Sequence, residues 1–324
     1  MRFCIRMLFG VALLLAAAGL FAAGGLLGSV HAADGSTRVG VVVSDDAPYF
    51  TLTYQQMTRR VLTQLPNTRF VLLNASSLPD YPDRADLDLL VTIGSNAARS
   101  ALEHTVETPL LATFLSRANY EQLLTRPTPG SVNRQISGIF TDQPALYRLR
   151  LTRYLLPDAQ VVGTALGPNT LELRDELTEA AAQTHFELRV TAIDVDSNPS
   201  QELQPIFGEA GAFVVIPDSA HINRASSRWI LNLGYRKRTP IIGFSQTYTR
   251  SGALASLYTS PQDVGRHAGE VIIAWLCCGD QHIWQPGPSR YFTIDTNAFV
   301  AQVLGIDLPP VSELQQAVLD PVAP

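Results

Sequence analysis

An α/β fold of two Rossmann-like lobes, each built on a parallel sheet, is predicted by three features of the 324-residue sequence. Short apolar runs rich in β-branched residues recur along the chain, amphipathic stretches separate them, and the whole pattern restarts near the middle. Parallel strands need a crossover helix to return the chain to the same edge. Near-continuous apolar strands alternating with helices therefore mean a sheet covered on both faces. The length alone favours about two domains of roughly 100–200 residues.

In the first unit, 38–43 (RVGVVV) reads as a buried strand, followed by the turn Ser44-Asp45-Asp46 and a helix over 48–65. Strands over 70–73 and 87–93 follow, the latter ending at Gly94-Ser95-Asn96 before a helix over 97–104, and 110–114 is a fourth strand. The pattern restarts with a strand or crossover at 136–140 and a helix over 144–155. A strand at 160–166, a helix over 171–185, a strand at 187–193 and a short helix over 201–208 come next. Strands at 212–216 and 239–245 close the second unit. Beyond it lie a strand at 253–258, an amphipathic helix over 262–276, a strand at 291–294 and a helix over 296–304. Pro309-Pro310 then opens a tail expected to have little fixed structure.

The net charge is −5 and no stretch gathers Lys or Arg on one face, which argues against nucleic acid as a partner. At the N-terminus, Arg2 and Arg6 precede an apolar and small-residue run over 7–28 and the small-residue exit Val30-His31-Ala32. This order reads as a secretory signal over 1–32 with cleavage after Ala32; an uncleaved anchor is the competing reading. Cys4 precedes the apolar run instead of sitting at the cleavage site, so there is no lipobox. Cys277 and Cys278 are adjacent: a strained vicinal disulfide is one reading, two packing residues at a helix end the other.

Catalytic patterns are missing. There is no GxSxG, HExxH, GxGxxG or Gly-Lys-Ser/Thr loop, the six histidines do not cluster, and no metal site or cofactor is implied. His221, three residues after Asp218, is the one pairing that invites inspection. In open parallel sheets, ligands collect beyond the carboxyl ends of strands, where loop amides and helix N-termini point into a crevice. The candidate ligand-binding residues are therefore Ser44, Asp45, Tyr49, Gly94, Ser95, Asn96, Thr113 and Phe114 in the first unit. In the second they are Asn169, Thr170, Asp218 and Phe244. Ser95 and Thr170 are candidate helix caps, and Tyr49, Phe114 and Phe244 candidate aromatic walls. Turn formers and caps occupy such loops without any ligand, so each residue also has a purely structural reading.

Several segments carry a resemblance to a known family. They are Val91-Thr92-Ile93-Gly94-Ser95-Asn96-Ala97-Ala98, Thr108-Pro109-Leu110-Leu111-Ala112-Thr113-Phe114, the stretch 130–138, and Leu155-Leu156-Pro157-Asp158-Ala159. The most specific are Ser251-Gly252-Ala253-Leu254-Ala255-Ser256 with Asp263-Val264-Gly265-Arg266-His267-Ala268-Gly269, and Phe292-Thr293-Ile294-Asp295-Thr296-Asn297 with Leu304-Gly305-Ile306. Together they resemble the periplasmic substrate-binding proteins of tryptophan-type and uncharacterised ABC transporters, across nearly the whole chain after the signal. Where that family often has Asp-Pro after the fourth strand, this chain has Leu115-Ser116-Arg117-Ala118, so ligand identity does not carry over.

The resemblance implies a periplasmic-binding-protein type I fold in which the chain crosses three times between lobes. The first lobe is then expected at 37–139 plus 253–286, the second at 140–252 plus 287–311, with a tail at 312–324. It further implies a monomeric periplasmic protein, not an enzyme, that captures a small amino-acid-like solute for an ABC permease. The alternatives are a sensing protein that docks on a membrane sensor or receptor, and an exported α/β enzyme.

Overall fold

β1 (Arg38–Val43) lies between two parallel neighbours, and its side chains alternate between two apolar layers. Val39, Val41 and Val43 join one cluster and Val42 joins another on the opposite face, the period of two that a strand dictates. The computed structural model describes residues 37–82, 86–105, 107–125, 134–193, 199–218, 224–278 and 284–320. The segment read as a signal, part of the 130–138 motif and His221 lie outside these residues.

From β1 the chain continues through α1 (Pro48–Gln64), β2 (Arg69–Asn74), β3 (Leu89–Ile93), α2 (Ser95–His104), β4 (Leu110–Leu115), α3 (Arg117–Leu124) and β5 (Ile136–Phe140). The second set runs α4 (Ala145–Leu155), β6 (Val161–Leu166), α5 (Arg174–Gln183), β7 (Glu187–Ala192), α6 (Pro199–Glu209), β8 (Ala212–Val215), α7 (Arg224–Lys237) and β9 (Ile241–Gly243). It closes with α8 (Gln246–Arg250), β10 (Ala255–Tyr258), α9 (Pro261–Cys278), β11 (Gly287–Pro288), β12 (Thr293–Thr296), α10 (Ala298–Leu304) and α11 (Val311–Leu319).

Two six-stranded sheets result, ordered β11-β5-β4-β3-β1-β2 and β12-β10-β9-β8-β6-β7. The described pairings are parallel except β10 with the antiparallel edge strand β12. Both sheets share one winding: the first strand pairs with the second on one side and the third on the other, which creates a switch point in each. The expected α/β fold of two similar units is thus present.

Several boundaries differ from expectation. β10, expected with the first lobe, pairs with β9 and β12 in the second sheet. α9, which follows it, packs on α1 of the first. β11, expected with the second lobe, hydrogen-bonds to β5 in the first sheet. The crossings between sheets therefore fall after β5, between β10 and α9, and between β11 and β12. Hydropathy marks a strand but not which sheet edge receives it.

The tail was expected to lack structure, yet α11 forms there and packs on α4, with Leu314 and Val318 fully buried. Pro310 sits at its N-cap, where a proline costs no helical hydrogen bond, so the Pro-Pro pair starts a helix. α3, α7 and α8 also lie outside the expected elements. In α7 the run Ser226-Ser227 and Gly234 weakens local propensity, and burial of Ile230 and Leu233 against α6 overrides it. Cys277, read as a packing residue or a disulfide partner, is free and exposed. Among the described residues no helix is long and apolar enough to cross a membrane.

The α1–α9 contact gives a physical reason for the glycine spacing of the 263–269 motif. A Cβ at Gly265 would lie 2.5 Å from the Thr53 carbonyl oxygen, so the helices approach closely only because that atom is absent. His267, on the same helix, is buried and accepts the Arg290 N–H at Nδ1 (3.3 Å). Burial first, and then the nearby Arg290, push its pKa down to about 4, with Glu270 opposing.

Two outcomes follow for stability. Gly265→Ala gains up to about 1 kcal/mol of helix propensity, but the backbone oxygen cannot yield as a side chain would. We expect a net loss of roughly 1–3 kcal/mol in urea denaturation, the range for an overpacked core; a stabilised variant would contradict this packing. The depressed His267 pKa means that the unfolded chain binds the proton first as pH falls. Its contribution is complete above its unfolded pKa of about 6.5 and is lost towards pH 4, on the order of 3 kcal/mol in all. His267→Asn retains an acceptor without titrating, so its stability should fall less than the parent's between pH 7 and 4.

Candidate functional site

The carboxyl ends of both sheets open onto a single cleft of about 1320 Å³. Ser95 follows β3, Phe114 ends β4, and Ser116, Arg117 and Asn119 begin the helix beyond it. Across the cleft stand Asn169 and Thr170 after β6, Asp218 after β8, Phe244 after β9 and Tyr258 at the end of β10. Residues 141–145, on the crossing from β5 to α4, also line it.

Phe114 has φ of 58° and sits where the register between β4 and β5 shifts. A bulky residue in the left-handed region is strained, and such strain persists only where the surroundings enforce it. Here the bulge directs the ring out of the strand's alternation, stacked on Tyr49 (5.4 Å between centroids, 13° between planes) and edge-on to Phe50 (5.5 Å).

Asp218 is buried, and its carboxylate accepts from the Asn169 N–H (3.1 Å) and the Thr170 hydroxyl (2.9 Å). It thereby ties the loop after β6 to the end of β8, the two sides of the second switch point. On the first lobe, Asn119 Nδ2 donates to Ser95 Oγ (3.3 Å), joining the loops after β3 and β4.

The crossings form the floor. Gln143 Nε2 donates to Thr259 Oγ1 (2.9 Å) and the Ser289 carbonyl (3.0 Å), and lies 3.4 Å from the Tyr291 carbonyl. Thr259 in turn donates to the Thr141 carbonyl (2.9 Å). One buried amide therefore touches all three crossings, while its Oε1 has no hydrogen-bond partner among the described residues. Arg148 is also buried; Nη1 donates to the Gln143 carbonyl (2.9 Å) and Nε has no partner among the described residues. Burial lowers its pKa, offset in part by Asp142 and Glu176. Burial also raises the pKa of Tyr258, helped by its hydrogen bond to Asp295 (2.8 Å).

Of the candidates read from sequence, Ser95, Phe114, Asn169, Thr170, Asp218 and Phe244 border the cleft. The others stand behind or beside it. Ser44 Oγ accepts from the Ala97 N–H (3.0 Å) and so caps α2 from the neighbouring strand's loop. Asp45 closes its own turn onto the Ala47 N–H (2.8 Å). Gly94, with φ of 96°, is the N-cap of α2, and exposed Asn96 lies within its first turn. Thr113 is buried and donates to the Thr92 carbonyl (2.7 Å), and Tyr49 backs Phe114.

Neither Ser95 nor Thr170 caps a helix with its side chain as expected, because Ser44 fills that role for α2 and Thr170 bonds to Gly167 and Asp218 instead. Arg117, Asn119, Asp142, Gln143, Arg148 and Glu176 also line the cleft and are not among the residues read from sequence. The one sequence signal for the crossing residues was the position of Thr141-Asp142-Gln143-Pro144 between the two βα units. Asp218 and His221 do not form a described pair, since His221 lies outside the described residues.

Two parallel α/β halves meeting at a strand-tip cleft, with the chain crossing between them three times, define a two-lobed binding-protein architecture. The chain belongs to the ABC transporter substrate-binding protein family, whose pattern matches residues 83–305. Solved structures agree in fold. A ligand-free, open substrate-binding protein with adhesive properties from Clostridium difficile superposes with a TM-score of 0.67 at 18% identity, covering 84% of this chain and 96% of that one. An ABC domain in complex with L-Trp from Streptococcus pneumonia gives 0.54 at 18% identity, covering 86% and 98%. A periplasmic ribose ABC transporter protein from Conexibacter woesei gives 0.52 at 14% identity, covering 86% and 97%. No curated protein matches the chain.

The strain at Phe114 separates backbone from ring. Phe114→Gly removes both the ring and the left-handed penalty, whereas Phe114→Ala removes the ring alone. The glycine variant should be the more stable of the two by about 1–2 kcal/mol in chemical denaturation. Equal stability would mean that the backbone there is not strained.

Proposed function

We propose that this chain is a periplasmic receptor that captures a small, amino-acid-like solute between its lobes and presents it to an ABC permease. Family membership supplies the class: a small-molecule ligand and a transporter partner. The finer reading rests on the lining of the cleft, where aromatic surface from Phe114, Phe244 and Tyr258 meets both Arg117 and the carboxylates of Asp142 and Glu176. A zwitterion with an apolar side chain matches that mixture better than a neutral sugar does. A neutral sugar can hydrogen-bond to these groups but carries no formal charge to pair with either the guanidinium or the carboxylates. Export through residues 1–32 and cleavage after Ala32 belong to the same proposal, as do the lobes hinging about the three crossings.

Closure on the solute would bring the loops after β3 and β4 against those after β6, β8 and β9, so that affinity depends on both halves. Ser95 and Asp218 act by fixing those loops. Mass spectrometry of what co-purifies with the exported protein, followed by calorimetry with the L-amino acids and with pentoses and hexoses, tests the ligand class. An amino acid should bind, and a sugar binding alone would refute the finer reading. With the ligand in hand, Ser95→Ala and Asp218→Ala should each weaken binding by about 10-fold, or 1.4 kcal/mol, with the fold retained by circular dichroism. Undiminished affinity in both would show that the cleft is not the site.

A further inference from the structure

Arg117 and Glu176 face each other from opposite lobes. Arg117 is the first residue of α3 at the tip of β4, and its N–H donates to Asp142 Oδ2 on the crossing (2.6 Å). Its Nη2 lies 3.6 Å from Glu176 Oε2 on α5 of the second lobe. Glu176 Oε1 in turn accepts from the Ala145 N–H, where α4 begins (3.1 Å). The pair thus joins the first lobe to the second beside the hinge, inside the cleft lining.

This contact is loose. Charge-assisted N–H···O bonds close to about 2.7–2.9 Å, and the side chains of Arg117 and Glu176 remain 43% and 40% exposed. An exposed ion pair can shift a balance between two arrangements of the lobes several-fold, yet is weak enough for a ligand carboxylate to displace. A guanidinium presents five N–H donors in a planar fork that matches a carboxylate on two of them, and here one long contact is made. Glu176 keeps its bond from the Ala145 N–H, and its charge also favours the charged form of buried Arg148. It can leave Arg117 without being stranded.

We propose that the Arg117–Glu176 pair is an exchangeable brace: it links the lobes in the empty protein, and the carboxylate of an entering ligand takes the place of Glu176 on Arg117. This makes Arg117 the residue that selects an acidic group, and it rests on the cleft being the solute site.

The test uses the full exported protein and pairs each L-amino acid with its C-terminal amide, which differs by that carboxylate alone. For whichever amino acid binds, the parent should favour the acid by at least about 10-fold. R117A should bind acid and amide equally, R117K should fall between, and E176Q should bind the acid several-fold more tightly because the competitor is gone. Full acid preference in R117A, or E176Q matching the parent, overturns the proposal. If no amino acid binds, the reading of the ligand fails instead, and small-angle scattering of the empty protein judges the brace. R117A and E176Q should each enlarge the radius of gyration, and the double variant no further. Unchanged dimensions in both single variants would overturn it.

Discussion

The molecule depends on one constraint: three separate stretches of chain must pass between the sheets at one place and stay in register. Gln143 meets it with a single buried amide, whose Nε2 reaches Thr259 on one crossing and Ser289 on another while its own backbone belongs to the third. Each of those acceptors is removed from water. Losing the amide would leave several polar groups buried without partners, at roughly 1–3 kcal/mol apiece. Hydrogen bonds of 2.9–3.0 Å thus fix the three crossings against one another. Since Gln143 also lines the cleft, the tie and part of the cleft floor are the same group.

Parallel topology explains why the cleft lies where it does. All strands of a parallel sheet point their carboxyl ends one way, so two such sheets joined at those ends bring every post-strand loop to a common space. The switch points concentrate that effect, because there the chain leaves for opposite faces and the loops part. In this protein the parted loops are pinned by polar side chains: Ser44 holds the start of α2, and Asp218 holds the loop after β6. The same carboxylates and hydroxyls that would bind a solute are thus largely engaged in shaping the walls. The strained Phe114 serves the walls as well, since a regular strand residue at that position would alternate into the core instead of stacking on Tyr49.

Electrostatics follows the same division between frame and site. Arg148 is buried and donates to the Gln143 carbonyl, with the charges of Asp142 and Glu176 partly offsetting its burial, whereas Arg117 stays half-exposed at the cleft with a long contact to the opposite lobe. On α9, neutral His267 accepts the backbone N–H of Arg290 and packs edge-on to Tyr291, so α9 and the last crossing are joined without a buried charge.

Much of this was legible in the residues themselves. β1, β3, β4, β6 and β8 were visible because a strand buried on both faces must be apolar throughout, and α1, α4 and α9 because a helix on a sheet must carry an apolar stripe. Six of the twelve candidate ligand residues border the cleft, since post-strand loops are fixed once the strands are. α7 was hidden because its helicity comes from packing of Ile230 and Leu233, and α11 because a proline pair at a helix start looks like a terminator.

By itself, then, the sequence determined most of the local elements, the parallel sheets and the family, all of which depend on patterns within a few residues or on motif spacing. The tertiary structure alone decided which sheet received β10 and β11, that Gln143 reaches Thr259 and Ser289, and that Arg117 faces Glu176. Those outcomes are set by contacts between residues tens to more than a hundred positions apart, and no hydropathy pattern encodes which distant carbonyl a buried amide will find.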